Sequence, residues 1–79
     1  MTRIPSTSLD LCGLNCPMPV LQTRKMLRRL PRGDRLIVEC TDPLAAIDIP
    51  HLLRETGDTL ERQETVNGLF IFHIRRGKE

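Results

Sequence analysis

The 79-residue sequence predicts a two-layer α/β sandwich in which two helices cover one face of a four-stranded mixed sheet. Three observations predict it. Apolar and polar residues alternate in four short stretches, apolar residues recur at helical spacing in two longer ones, and the stretches follow the order β-α-β-α-β-β. Strand–helix–strand units cross over right-handed, so both helices fall on the same face of the sheet.

The first strand spans Ser8 to Cys12, with Leu9 and Leu11 on one face and Asp10 and Cys12 on the other. Gly13-Leu14-Asn15 then turns the chain. Helical spacing of Val20, Leu21, Leu27 and Leu30 predicts a helix that begins at or beside Cys16 and buries those four residues. Pro17 and Pro19 are tolerated there, because amides in a first helical turn have no partner inside the helix. Pro31-Arg32-Gly33 ends the helix. Leu36, Val38 and Cys40 alternate with Arg35, Ile37 and Glu39 in a second strand through about Thr41. Asp42 is a good N-cap and Pro43 suits the first helical position, so a second helix runs to Thr56 with Ala45, Ile49, Leu52 and Leu53 inward. Pro50 should kink that helix or split off its first turn, and Gly57 terminates it. Thr59–Val66 and Leu69–Arg76 form a hairpin around Asn67-Gly68, a pair suited to two positive φ angles. Phe70, Phe72 and Ile74 share one face of the last strand. The whole reads as one domain over residues 8–76, with flexible tails at 1–7 and 77–79.

Composition excludes several classes of function. At this length a chain buries only about 60–65% of the surface its unfolded state exposes, so the core has little redundancy. No stretch approaches the ~18 uninterrupted apolar residues of a membrane span. Met1 to Thr7 lacks the apolar run of a secretory signal, which makes the cytoplasm the expected location. Twelve basic and ten acidic residues leave a net charge of +2, too weak to imply nucleic acid. Trp and Tyr are absent and Phe occurs twice, so a stacking platform for bases is missing as well. Cys12, Cys16 and Cys40 are an odd set that fits no disulfide framework. Their spacing to one another and to His51 and His73 fits no metal site, and no cofactor is expected.

Cys16 is the candidate for chemistry, the alternative being a free cysteine that only packs. A thiol at a turn-to-helix junction meets unpaired amides and the positive end of the helix dipole. That environment predicts a pKa below the free value of ~8.5, and a drop of about one and a half units would make about half the thiol ionised at neutral pH. Pro17 and Pro19 stiffen the backbone on either side. Each histidine reads as a surface residue, so no base is committed to the thiol. A thiol without such a base suits a carrier whose partners supply the chemistry.

The run from Leu9 and Asp10 through Gly13, Leu14, Cys16, Pro17, Pro19 and Val20 resembles the signature of the TusA/SirA sulfur-carrier family. Arg24-Lys25, the Pro-x-Gly turn at 31–33, Thr41-Asp42-Pro43, Asp48-Ile49-Pro50 and Gly68 extend the likeness over residues 8–76. The resemblance implies the βαβαββ sandwich and a sulfurtransferase-type carrier with Cys16 as its persulfide cysteine. It implies Asp10, Gly13, Pro17 and Pro19 as the supporting motif and Arg24 and Lys25 as the family's basic helix pair. Such carriers take sulfane sulfur from a cysteine desulfurase or rhodanese and pass it on. Recipients are tRNA thiolation, molybdenum-cofactor assembly and sulfur oxidation. Met18 stands where the best-known tRNA-thiolation members carry an acidic residue, and Ile47 where they carry a basic one.

Arg24, Lys25 and Arg28 form a basic cluster with Arg29, Arg32 and Arg35, expected to dock an acidic protein partner. Direct nucleic-acid and membrane contacts are not expected, and the protein should be a monomer. Cys12 is either a resolving thiol or a strand-end residue without a role, and a bridge would need Cα atoms within ~7 Å. The competing reading is a non-catalytic regulatory or RNA-contacting module, in which the basic helix would touch phosphates.

Overall fold

The computed structural model describes residues 6–77. Four strands and two helices follow in the predicted order: β1 (Ser6–Leu11), α1 (Met18–Arg29), β2 (Arg35–Cys40), α2 (Ala45–Thr56), β3 (Thr59–Val66) and β4 (Leu69–Arg75). The sheet order is β1-β2-β4-β3. β1 runs parallel to β2 with Leu11 opposite Cys40, and β4 pairs antiparallel with both β2 and β3. The mixed sheet is therefore the expected one.

Strand alternation decides which face is covered. Leu36, Val38 and Cys40 of β2 and Phe72 and Ile74 of β4 are fully buried. They pack with Leu11, with Leu27 of α1 and with Ala45, Ile49 and Leu53 of α2 in one cluster. Both helices thus lie on the same side of the sheet. Residues of opposite parity project from the other side and carry charge. There Glu61 pairs with Arg35 and Arg75, each at 3.1 Å, and Glu64 pairs with Arg62 at 3.2 Å.

The boundaries differ from expectation in instructive ways. Ser6 and Thr7, expected in a flexible tail, are strand residues opposite Arg35 and Leu36, because the β1–β2 ladder extends as far as β2 does. Residues 1–5 and 78–79 of the expected tails lie outside the described residues. Gly77, expected in a tail, donates its amide to Asp58 Oδ1 at 2.6 Å. Helix α1 buries Pro19, Thr23 and Leu27, one residue per turn, while Leu21 is 49% exposed and not part of the stripe. Thr23 conceals that stripe from a purely apolar pattern. Pro50 does not split α2, which is continuous from Ala45 to Thr56. Ala45 and Ile49 on one side of the proline and Leu52 and Leu53 on the other are all buried, and this packing outweighs the one hydrogen bond that Pro50 cannot make. The hairpin turn is as expected, with φ of +50° at Asn67 and +80° at Gly68.

Cys40 has a measurable consequence. Desolvation, followed by the neighbouring Cys12 and Asp42, pushes its thiol from an ordinary 9.0 up to about 11. As pH rises through that window the unfolded chain releases the proton first, so stability must fall. Denaturant unfolding measured on both sides of the window should show this decline, and it should flatten in Cys40→Ala.

Candidate functional site

Parallel neighbours in a sheet bring their following loops together at one edge. Here the β1–α1 loop carries Cys16, and the β2–α2 loop and first turn of α2 carry Asp42 and Asp48. Three hydrogen bonds tie the Cys16 loop to the β2–α2 loop and to the first turn of α2. Gly13 donates its amide to Thr41 Oγ1 at 3.0 Å, and Cys16 donates its amide to Asp42 Oδ2 at 2.6 Å. Cys16 Sγ donates to Asp48 Oδ2 at 3.5 Å. Gly13 reaches its position with φ +85°, a conformation open to glycine at little cost. The Cys16–Pro17 peptide is cis.

Asp42 does not act as the expected N-cap. Helix α2 begins three residues later, at Ala45, and Asp42 Oδ1 accepts the amide of Leu44 at 3.0 Å in a local turn. Its second oxygen is thereby turned toward Cys16. Asp10 has a comparable local role: its Oδ1 accepts the Cys12 amide at 3.0 Å, which holds its carboxyl below the ordinary value. Pro17 is exposed at the N-cap of α1, whereas Pro19 is buried beneath it.

The thiol's electrostatics reverse the expectation. Cys16 lies one residue before the N-cap of α1, outside the helix. Of the first three helical amides, that of Met18 already donates to Asn15 O at 2.9 Å and Pro19 has none, leaving only Val20. The helix terminus therefore has little donor capacity to offer an anion. Partial desolvation, then the hydrogen bond to Asp48, then the charges of Asp48 and Asp42 push the Cys16 thiol above its ordinary value. The expected low-pKa thiolate is corrected to an exposed, protonated thiol facing two carboxylates.

Cys16 opens onto a shallow cavity of about 270 Å³ lined by Pro17, Val20, Arg24, Asp48, His51 and Glu55 among others. Arg24 is the one member of the predicted basic group on that lining; Lys25, Arg28 and Arg29 continue down the outer face of α1 with Leu21. His51, exposed as expected, pairs with Glu55 at 3.5 Å and borders this cavity, a proximity its place in the sequence did not reveal. His73 corrects its surface assignment: it is half-buried on the open side of the sheet, bonded to Glu64 at 2.9 Å. Cys12 is exposed and Cys40 buried. Among the described residues no cluster of His, Cys, Asp and Glu could hold a metal, and no helix is long and apolar enough to cross a membrane.

The family model described as Sulfurtransferase TusA matches residues 7–76. The chain belongs to the TusA family. Among its relatives are proteins named Sulfur carrier protein TusA from strains of Pseudomonas putida, 39% identical over 72 residues. The match covers 91% of this chain and 90% of each relative. The crystal structure of a SirA-like protein from Desulfitobacterium hafniense superimposes with a TM-score of 0.79 at 25% identity, over 91% of this chain and 99% of that one. Membership of a TusA sulfur-carrier family means that the protein works between a sulfur donor and a sulfur acceptor. The TusA match also spans both loops that meet at Cys16.

Proposed function

We propose that Cys16 accepts a sulfane sulfur as a persulfide from a donor protein and delivers it to an acceptor protein in the cytoplasm. The observation that supports this most is the thiol's position. Cys16 is exposed on a loop tied by three hydrogen bonds to the β2–α2 loop and the first turn of α2, where another protein's sulfur can reach it. In loading, the Cys16 sulfur attacks the terminal sulfur of the donor's persulfide. A new S–S bond forms on Cys16, the donor's S–S bond breaks, and the Cys16 proton ends on the departing donor sulfur. Nothing is oxidised or reduced overall, so no cofactor is required. A cysteine desulfurase or a rhodanese is the class of donor. Acceptors belong to tRNA thiolation, molybdenum-cofactor assembly or sulfur oxidation.

Arg24, Lys25 and Arg28 on the outer face of α1 are the proposed docking charges for an acidic partner surface. Leu44 and Ile47, 52% and 68% exposed, lie in the segment that carries Asp42 and Asp48 and would give the interface an apolar element. The carrier is proposed to act as a monomer, with Asp10, Gly13, Pro17 and Pro19 shaping the loop.

The test is intact mass after incubation with a desulfurase and cysteine, or with a rhodanese and thiosulfate. Wild type should gain the mass of one sulfur atom, lost on reduction, and Cys16→Ser should gain none. Equal loading of Cys16→Ser would remove Cys16 from the mechanism.

A further inference from the structure

The surroundings of Cys16 are anionic where a sulfur nucleophile would be expected to need cations. Asp48 Oδ2 accepts from Sγ at 3.5 Å, and Asp42 Oδ2 accepts the amide of the same residue at 2.6 Å. The carboxylates come from α2 and from the loop before it, so they approach the thiol from the element opposite its own. The other charged or titratable groups on this side are Arg24 of α1 and His51 and Glu55 of α2. His51 is engaged with Glu55, and none of the ion pairs among the described residues involves Arg24 or Asp48. Among the described residues Asp48 therefore forms no ion pair, and the hydrogen bond its side chain accepts comes from the thiol.

We infer that Asp48 is a positioning residue that aims Cys16 Sγ and holds it as a thiol in the free, unloaded carrier. The inference rests on the proposed role of Cys16 and concerns how that site is regulated. A carboxylate against Sγ opposes the thiolate, which is the attacking species, so an unpartnered carrier reacts slowly with small electrophiles and oxidants. On the loaded carrier the terminal sulfur stands one S–S bond, ~2.05 Å, beyond Sγ, and the persulfide's charge lies farther from the carboxylate. The restraint therefore acts most strongly on the empty state.

The direction of the thiol's shift agrees with this geometry, Asp48 acting through both its hydrogen bond and its charge. A neutral amide in its place would keep the shape and remove the charge. Lowering a thiol's pKa by one unit raises its thiolate fraction about tenfold below the midpoint, while the weaker nucleophile gives back roughly half of that on a logarithmic scale. A net gain of about threefold per unit follows.

The experiment follows release of thiopyridone from dithiodipyridine, a small neutral disulfide, across the alkaline pH range. It uses the full chain carrying Cys12→Ser, which leaves Cys16 as the exposed thiol. Asp48→Asn should move the midpoint of the rate profile to lower pH and raise the near-neutral rate in proportion to that movement. Asp48→Glu, which restores the charge, should return both toward wild type. Coincident profiles for wild type and Asp48→Asn would overturn the inference. Sulfur loading of the wild type, measured by mass in parallel, separates the two ideas. Loading with coincident profiles removes the restraint and leaves the carrier, whereas a shifted profile without loading supports the restraint and removes the carrier.

Discussion

Sulfur transfer between proteins should fall about tenfold or more at low salt when Lys25→Glu and Arg28→Glu are combined. Both residues are exposed on α1, one turn apart, and both border the same shallow groove with Arg24 and Arg29. Neither lines the cavity at Cys16, so the thiol's own environment is left as it is. Rim charges act mainly on the rate of association, an effect that shrinks as salt shortens the screening length to ~8 Å at physiological strength. The deficit should therefore close as salt is added, and the rate with a small neutral disulfide should not change. Arg28 lies in the last turn of α1, where a cation favours the helix dipole, so a loss of about 0.3–1 kcal/mol is expected and no more. Melting temperature, small-reagent kinetics and protein-to-protein transfer would be read on the same variant. Equal transfer by variant and wild type would reduce these cations to a solvated surface.

Asp58→Ala should be the most damaging polar substitution to the fold. Asp58 follows the terminating Gly57 of α2, and its side chain is 1% exposed. Oδ1 accepts from Arg76 Nη1 at 3.0 Å and from the Gly77 amide at 2.6 Å, while Oδ2 accepts from Thr56 Oγ1 at 2.6 Å. Removing the carboxylate leaves a guanidinium and an amide short of a partner, and the Thr56 hydroxyl with only its 3.4 Å bond to Leu53 O. Breaking a buried pair from one side costs about 3–5 kcal/mol, and the partial exposure of Arg76 places the expectation near 3. For a domain of this size that corresponds to a fall of about 12–24 °C in melting temperature. Asp58→Asn keeps an acceptor and should recover part of the loss. A thermal melt unchanged in Asp58→Ala would mean that the end of β4 is not held by this network.

The sequence was informative where the physics is local. The alternation in Leu36–Val38–Cys40 and Phe72–Ile74, the Asn67-Gly68 turn and the Gly57 stop follow from φ preferences and side-chain period, and each element is where those rules put it. The buried stripe of α1 excludes Leu21 because Thr23, a polar residue that apolar periodicity passes over, occupies the most buried turn. Cys16 was visible as a residue between turn and helix, but its electrostatics were not. Asp42 and Asp48 lie 26 and 32 positions away, and nothing in a short window joins them to the thiol. One signal was available. Two parallel, adjacent strands set their following loops side by side, and acidic residues in the second loop could have been tested against the thiol in the first. The role of Asp58 was hidden for the same reason, since two of its three partners lie 18 and 19 positions later, past the last strand.

The parallel pairing that places Leu11 opposite Cys40 also acts as a ruler for the site. The thiol follows β1 and the carboxylate follows β2, so their spacing is inherited from how far one strand has advanced along the other. Slippage of β1 by a single residue would turn Leu9 and Leu11 out of the core. Slippage by two would restore them and displace the Cys16 loop by about 6.6 Å, beyond any hydrogen bond to Asp48. The second error keeps the inward face of β1 inward and abolishes the pairing at Cys16. Variants that loosen the Ser6–Leu11 ladder are therefore the ones in which the sulfur atom would be left unguided.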